Sequence, residues 1–487
     1  EQWQHTGGRT TAISEKSLPP CKLFLYIGGI RLQIDRLPRP FLEEMRTLLG
    51  EVEYKAFLAS MDEVPLSGLR VNRLKVSTEK LTETFGALQP VPWTENGFYC
   101  EPGGEYTSHP YYYAGLYYMQ EPSAMSSAAL LGTKPGERIL DLCAAPGGKS
   151  TQIADDLQGE GFLLSNDLSA SRARALLKNI ELMGIGNCCI SCEDSGRLKN
   201  EYPLFFDRIL VDAPCSGEGM FRKHPAVIKA WLEHGKDFYC PVQSKLLDDA
   251  ADMLRPGGTL LYSTCTYNRN ENENQIAAFL DRHPDFSVDP IPATHGLTGS
   301  AFLPGTVRLF PHKARAEGHF VARLKKSGEV QPIGTANPVF SGKKETQLLR
   351  QLQPALDEFF AASARKPDPS RLKLQGDYIL QLPEATVLRA PLRYLRTGLL
   401  LGQISHGRFK PSQALAMYLR AEDFENPISY SADDPAVRRY LRGETLEATD
   451  SGSGFRLFCV DGYPLGFVKQ DKQRYKNLYL PGWRMQR

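Results

Sequence analysis

Two cysteines stand where strands of a nucleotide-binding domain should end. Cys215 lies in Val211-Asp212-Ala213-Pro214-Cys215-Ser216-Gly217, and Cys265 closes Leu261-Tyr262-Ser263-Thr264-Cys265. A thiolate can attack an electron-poor ring carbon. Carbon 5 of cytosine is a poor nucleophile, but thiolate addition at carbon 6 makes it enamine-like. It can then take a methyl group from a sulfonium, and loss of the carbon 5 proton expels the sulfur. Such chemistry needs a thiol depressed below its free pKa of about 8.5. It also needs an acid near ring N3 and a base for the departing proton. Asp212, three residues before Cys215, offers a carboxylate. Spacing alone does not decide which thiol attacks. The plain alternative is that both are core cysteines, behaving as small hydrophobes. The Pro/Ser/Gly loop around Cys215 and the polar flanks of Cys265 argue against it.

Upstream, Asp141-Leu142 leads into Cys143-Ala144-Ala145-Pro146-Gly147-Gly148-Lys149. Small residues let the backbone approach a ligand, and the helix that follows presents free N–H groups. The loop matches neither the GxGxxG fingerprint nor a Walker loop. Asp167 ends the next strand, where an acid about 20 residues beyond such a loop commonly holds ribose hydroxyls. Asp194 follows a third strand, where it would accept from an adenine amine. Either acid alone reads equally well as a helix N-cap or turn residue; placed after successive strands, the pair favours a ligand. The implied ligand bears adenosine without requiring a polyphosphate, as S-adenosylmethionine does.

These residues need strands to carry them. Strands are expected at 138–142, 161–166, 188–191, 208–211 and 259–263. Helices are expected at 149–157, 169–183, 241–254 and 270–282. Segments 286–290 and 319–324 would close the sheet as an antiparallel pair. This alternation predicts an α/β fold with a doubly wound, Rossmann-like sheet and ligands at the carboxyl ends of its strands. Before it, Phe41, Met45, Leu48 and Leu49 share a helical face, and Gly68–Lys75 alternates like a strand. Expected boundaries are 1–38, an unassigned extension; 39–115, a small α+β RNA-binding domain; 116–326, the methyl-transfer domain; 327–388, a linker and small connecting domain; and 389–487, a tail rich in strands and turns. Residues 345–361 read as a helix within the connecting part.

The 487 residues exceed one ordinary core. Ten cysteines in such a length make no disulfide framework. No apolar run approaches the roughly 20 residues of a membrane span, so the cytoplasm is the expected compartment. The tail from Arg389 holds sixteen Lys and Arg against ten Asp and Glu, whereas the rest is slightly acidic. A basic tail on an acidic body suits an anionic polymer. Lys223 and His224, after the Cys215 loop, and Arg408, Lys410 and Lys476 in the tail are candidate phosphate contacts, which position RNA rather than read it. The aromatic stretch His109–Tyr118 reads mostly as core. Cys189 and Cys192 have CxxC spacing but no second pair, and no metal is expected.

The loop Cys143–Lys149, the run Asp212–Gly217 and the run Tyr262–Thr266 together resemble the Sun-like superfamily of RNA cytosine-C5 methyltransferases. Gly115–Ser123 and Glu317-Gly318-His319-Phe320 match as well, so the resemblance spans roughly Pro40 to Lys326. The tail, through Arg408–Ser412, Leu441–Leu446 and Val460–Gly466, is similar to that of bacterial RsmF-type enzymes acting on small-subunit ribosomal RNA. The resemblance implies a PUA-like RNA-binding module behind a small connecting domain. It implies that Cys265 is the covalent nucleophile, that Cys215 helps release the product, and that S-adenosylmethionine contacts Cys143 to Lys149, Asp167, Arg172, Asp194 and Asp212. It implies action on RNA, 16S ribosomal RNA or the small subunit; a monomer away from membranes is expected. A tRNA cytosine-C5 methyltransferase and a non-catalytic RNA-binding assembly factor are the alternatives.

Overall fold

The computed structural model describes residues 36–86, 88–235, 237–329 and 343–486. The extension 1–38 lies almost wholly, and the linker around 328–344 largely, outside the described residues.

Helix α1 (Arg39–Met61) starts after Pro38 and breaks at Gly50, whose φ of +72° is unfavourable for any residue with a Cβ. The break re-aims its second half, so both halves bury apolar side chains. Phe41, Met45, Tyr54 and Phe57 pack with Phe221, Trp231, Tyr267 and Phe310. Those partners follow the two catalytic-candidate cysteines in the chain, so α1 backs the loops that hold the thiols. Next come β1 (Ser67–Val71), α2 (Thr78–Phe85), β2 (Gly97–Cys100), α3 (Pro110–Tyr113) and β3 (Tyr117–Gln120). The three strands form an antiparallel sheet in the order β2-β1-β3.

The body continues with α4 (Met125–Leu131), β4 (Arg138–Asp141), α5 (Gly148–Asp156), β5 (Phe162–Asn166), α6 (Ala170–Leu182), β6 (Cys188–Ser191), α7 (Ser195–Glu201) and β7 (Phe206–Asp212). Then follow α8 (Ala226–His234), α9 (Cys240–Met253), β8 (Leu254–Thr264), α10 (Glu273–Arg282), β9 (Phe286–Val288), β10 (Thr298–Gly299), β11 (Val307–Leu309) and β12 (His319–Lys326). The strands β8-β7-β4-β5-β6 are parallel neighbours, and β12 and β11 extend them antiparallel. The expected closing pair is present, with β9 antiparallel to β12.

Strand residues alternate between two covered faces, as the two-residue side-chain period requires. Ile139, Leu163, Leu210 and Leu261 join Met125, Ile153 and Leu176 of α4, α5 and α6. Leu140, Leu164, Ile209 and Leu260 join Leu198, Leu247 and Ile276 of α7, α9 and α10. From β4 the chain winds one way to β6, then returns to β7 on the other side. The switch point therefore falls between β4 and β7, where such folds bind ligands.

The carboxyl-terminal third comprises α11 (Lys343–Phe360), β13 (Leu372–Gln375), β14 (Tyr378–Gln381), β15 (Tyr394–Thr397), β16 (Leu399–Ser405), β17 (Arg408–Pro411), α12 (Gln413–Tyr418), β18 (Ile428–Tyr430), α13 (Pro435–Leu441), β19 (Leu446–Val460) and β20 (Tyr463–Asn477). One sheet has the order β13-β14-β16-β17 and another β18-β19-β20. β15, within the range 389–487 assigned above to the tail, pairs antiparallel with β6 and extends the central sheet. The aromatic stretch is structural: Tyr117 is buried, and Tyr111, Tyr112 and Tyr113 pack on a cluster shared with Tyr440, Phe458 and Tyr475 of the tail. Among the described residues, no helix is long and apolar enough to cross a membrane.

Candidate active site

β7 and β8 run parallel with Asp212 opposite Ser263, so the loops carrying Cys215 and Cys265 leave the sheet side by side. The two sulfurs lie 3.4 Å apart. Backbone closure holds this juxtaposition, because Gly219 donates its N–H to the carbonyl of Cys265 at 2.9 Å. The hydroxyls of Ser216 and Thr266 meet at 2.8 Å. Asn272 accepts from Thr264 at 2.6 Å and donates to the carbonyl of Thr266 at 2.9 Å, fixing the turn through Cys265. Beneath the loops, Glu271 accepts from the Ser216 N–H at 3.0 Å and from Gln243 at 2.9 Å. Burial pushes its carboxyl up to about 7. Glu218 accepts from Trp231 at 3.0 Å and from the Tyr267 N–H at 3.1 Å, and burial raises it likewise to about 7. The hydrogen bond with Cys265, aided by burial, pushes the Cys215 thiol well above its usual range.

Asp212 sits at the end of β7 with both oxygens engaged. Lys149 donates to one at 2.7 Å and Ser263 to the other at 2.8 Å. Burial alone would raise this carboxyl, but the Lys149 ammonium and other donors outweigh it, so its pKa is held low. Burial pulls Lys149 down, and Asp212 more than offsets that, leaving the ammonium strengthened. His319, at the start of β12, approaches Asp212 at 3.8 Å and meets the Ser127 hydroxyl at 2.9 Å. Burial and the nearby Lys149 charge push it down to about 4, so it is neutral at pH 7.

The expected cofactor loop follows β4. Ala144 donates to the carbonyl of Asn166 at 2.8 Å, and Ala145 to the Asp167 carboxylate at 3.2 Å. Arg172 donates to the carbonyl of Ala145 at 2.7 Å and pairs with Asp167 at 3.4 Å. Asn179 holds the carbonyl of Pro146 at 2.7 Å. Gly147, with φ +113°, turns the chain into α5. At Gly148 a Cβ would meet Tyr118 at 3.1 Å and Gln120 at 3.2 Å. One oxygen of Asp141 accepts from Ser150 at 2.7 Å, whereas the other is buried with no partner. Burial pushes Asp141 up to about 7 and the Cys143 thiol well above its usual range.

The fold thus brings Cys143–Lys149, Asp167 and Arg172 together at one strand end, and joins Lys149 to Asp212 beside the thiols. Asp194 is arranged differently. It caps α7, accepting from the Gly196 N–H at 2.9 Å, and pairs with Lys245 at 3.2 Å. It performs the capping task of the plain reading, with its carboxylate half-exposed. Lys223 is half-buried and directs its ammonium at the carbonyl of Leu66, 3.4 Å away. His224 is half-buried, and burial lowers its pKa. Arg408 and Lys410 are exposed on β17, and Lys476 is exposed on β20.

Several supporting residues carried no signal in the sequence. Arg70, buried in β1, donates to the carbonyl of Gly148 at 3.1 Å and to Thr151 at 2.7 Å, tying the first sheet to the start of α5. Arg222 meets Glu317 at 2.8 Å and the carbonyl of Ser60 at 2.7 Å. Glu317 belongs to a motif noted above, but its partner lies 95 positions away.

A doubly wound sheet, a glycine-rich loop after β4 and polar side chains gathered at the switch point define a Rossmann-like methyltransferase with an added amino-terminal unit and a carboxyl-terminal PUA domain. Four family models match: "N-terminal domain of 16S rRNA methyltransferase RsmF" over 37–122, "16S rRNA methyltransferase RsmB/F" over 128–325, "RsmF rRNA methyltransferase first C-terminal domain" over 358–419, and "Methyltransferase RsmF PUA domain" over 416–485. Ribosomal RNA small subunit methyltransferase F of Erwinia tasmaniensis is 33% identical over 464 residues, covering 91% of this chain and 95% of that protein. Its counterpart in Cronobacter sakazakii is 32% identical over 477 residues, again 91% and 95%. A solved methyltransferase homologue from Pyrococcus horikoshii has 29% identity and a TM-score of 0.52, covering 61% of this chain and all of that one. The chain belongs to the RsmF family of methyltransferases.

Proposed function

We propose that this chain transfers a methyl group from S-adenosylmethionine to carbon 5 of a cytosine in 16S ribosomal RNA, through a transient bond between Cys265 Sγ and carbon 6. One observation carries the reading: two sulfurs 3.4 Å apart, beside the Lys149–Asp212 pair, at the switch point of the sheet. The residues present fit the methyl donor. Asp141 has a buried oxygen without a partner, and Asp167 stands fixed beside the loop. S-adenosylmethionine supplies a methyl group on a sulfonium. Cys143 to Lys149, Asp167, Arg172, Asp194 and Asp212 would hold it.

In this reading Cys265 attacks carbon 6 as a thiolate, forming the S–C bond. Two thiols this close share one proton more readily than they lose both, so Cys215 retains its own while Cys265 reacts. The Lys149 ammonium is the proton-bearing member of its pair and stabilises charge developing at ring N3. Ionised Asp212 accepts from the base. Once carbon 5 is methylated, its proton passes to water, the S–C bond breaks with its electron pair returning to Cys265, and the Cys215 thiol assists release by donating to the departing thiolate. The raised pKa of Cys215 suits a group that stays protonated and donates to that thiolate.

Residues 39–115 and the tail would hold the RNA, with Lys223, His224, Arg408, Lys410 and Lys476 contacting phosphates. The relatives act in name on small-subunit ribosomal RNA, which favours that substrate over tRNA; in this reading the chain works in the cytoplasm as a monomer. The test pairs two variants. Cys265→Ala should abolish methylation of 16S RNA, read by bisulfite sequencing, and Cys215→Ala should accumulate an enzyme–RNA adduct, seen as a retarded band on a denaturing gel. Full activity of Cys265→Ala removes the mechanism, and absence of adduct with Cys215→Ala removes the release role.

A further inference from the structure

The connecting sheet β13-β14-β16-β17 is covered on one face by α11, and its other face is exposed at the end that bears the β13–β14 and β16–β17 turns, whereas Leu380 further along that face is buried. Leu372, Ile379, Leu401 and Phe409 point into a cluster with Leu356, Phe359 and Phe360 of α11. Residues paired directly across strands share a face. Gln375 pairs with Tyr378, Tyr378 with Gln403, and Gln403 with Lys410. These four side chains therefore form one row across all four strands on the face away from α11. Ser405 pairs with Arg408 in the next row outward. Tyr378 is 49% exposed at an inner strand of the sheet, and Gln375, Arg408 and Lys410 are exposed as well. Among the described residues, neither cation pairs with a carboxylate, and the strand positions of this row carry no acid.

A tyrosine ring left half-exposed at the turn end of the β13–β14 hairpin buries only part of its apolar surface, and two unpaired cations on the same face repel each other. Together they present a flat ring for stacking, amide groups for base edges and cations for phosphates. With strands about 4.8 Å apart, the ring and the Lys410 strand stand about 10 Å apart, enough for a stacked base and its backbone. Unpaired RNA is recognised by this combination, because splayed bases stack on aromatic rings while basic groups follow the backbone.

We propose that this sheet face is a second RNA-binding site, which takes an unpaired segment of the substrate by stacking a base on Tyr378 and holding its phosphates with Arg408 and Lys410. The proposal rests on the reading of the chain as an RNA methyltransferase and adds a site remote in sequence from the thiols. The partner is a single strand, since a duplex would offer the ring no open base.

The test uses the full chain and a fluorescent, unpaired oligonucleotide of mixed sequence, with anisotropy as the readout. Tyr378→Ala should weaken binding roughly tenfold to a hundredfold, the range of one lost stacking contact. Tyr378→Phe should bind as the wild type, because it keeps the ring. Lys410→Ala should flatten the slope of log affinity against log salt by about 0.7, the value for one phosphate on a single strand. The same variants should leave affinity for a blunt duplex unchanged. Unaltered single-strand binding by Tyr378→Ala with an unchanged unfolding midpoint overturns the proposal, as does equal loss for the duplex. If no RNA is methylated while Tyr378 still governs binding, the catalytic reading fails and this one stands.

Discussion

The Arg222–Glu317 pair should be worth far more than its surface counterparts, and a double-mutant cycle measures it. The two side chains are 4% and 2% exposed and 2.8 Å apart. The guanidinium forms a fork with both carboxylate oxygens and also binds the carbonyl of Ser60. Arg222→Met leaves a buried carboxylate without its counter-ion, a loss of about 3–5 kcal/mol. The Ser60 carbonyl loses the Arg222 donor as well, keeping only the Glu63 N–H at 3.2 Å, at a cost of about 1 kcal/mol. Glu317→Leu strands the guanidinium and should cost a similar amount. The double variant removes both charges, so it should be destabilised by only about 1–2 kcal/mol, giving a coupling of at least about 3 kcal/mol. Urea unfolding followed by tryptophan fluorescence reads this, with Trp231 in the adjoining cluster as reporter. The reasoning is refuted if the double variant falls at the sum of the two single losses, or if either single variant unfolds within about 1 kcal/mol of wild type. A functional consequence accompanies the stability change. Glu317 precedes Gly318, whose N–H donates to Gly219 at 3.3 Å, and Gly219 in turn binds the Cys265 carbonyl. Loosening the pair should therefore lower turnover more than cofactor affinity.

Two shorter predictions concern the same neighbourhood. In Gly219→Ala the new Cβ would lie 2.6 Å from the Gly318 carbonyl oxygen and 2.9 Å from that of Cys265. Methylation should fall on the order of a hundredfold through misplacement of the thiol, with cofactor binding retained by calorimetry; wild-type rates would contradict the closure described above. His319 is buried neutral, with its folded pKa near 4 and an ordinary value of 6.5. The unfolded chain binds this proton first, so stability present above pH 6.5 should be lost as pH falls towards 4, by up to about 3 kcal/mol. His319→Gln should lack that part of the acid sensitivity in denaturant titrations, and an identical pH profile would remove the assignment.

The central sheet was legible because its strands are buried on both faces and read as short apolar runs between helices. Arg208–Val211 and Thr259–Ser263 show this, and Cys188–Ser191 matched in full. Local punctuation misled where the sheet overrode it. Arg255-Pro256-Gly257-Gly258 predicts a turn, yet β8 runs through it from Leu254, accommodated by a register shift against β7. Of β19, only Phe455–Val460 carries the apolar run that marks a strand. Its polar first half lacks apolar alternation; Thr449–Ser451 bulge out of register with β20, and Asp450 is held by hydrogen bonds from Arg456, Gln470 and Tyr475. The thiols and the loop Cys143–Lys149 were legible as chemistry because their neighbours are short, polar or glycine. The residues that fix them were not. Glu271, Asn272, Arg70 and Arg222 act through partners supplied by other elements, and nothing in a local window distinguishes a buried arginine from a solvated one.

The amino-terminal sheet and the tail share one apolar cluster, in which Leu69, Val71 and Tyr117 meet Tyr440, Phe458 and Tyr475. The amino-terminal sheet is thus completed by the tail. During synthesis at about 5–20 residues per second, the early sheet waits roughly 20–70 s for the strands that cover it. Nascent chains should lean on chaperones throughout that interval. Shortening the gene from its 3′ end would yield not a leaner enzyme but a sticky one.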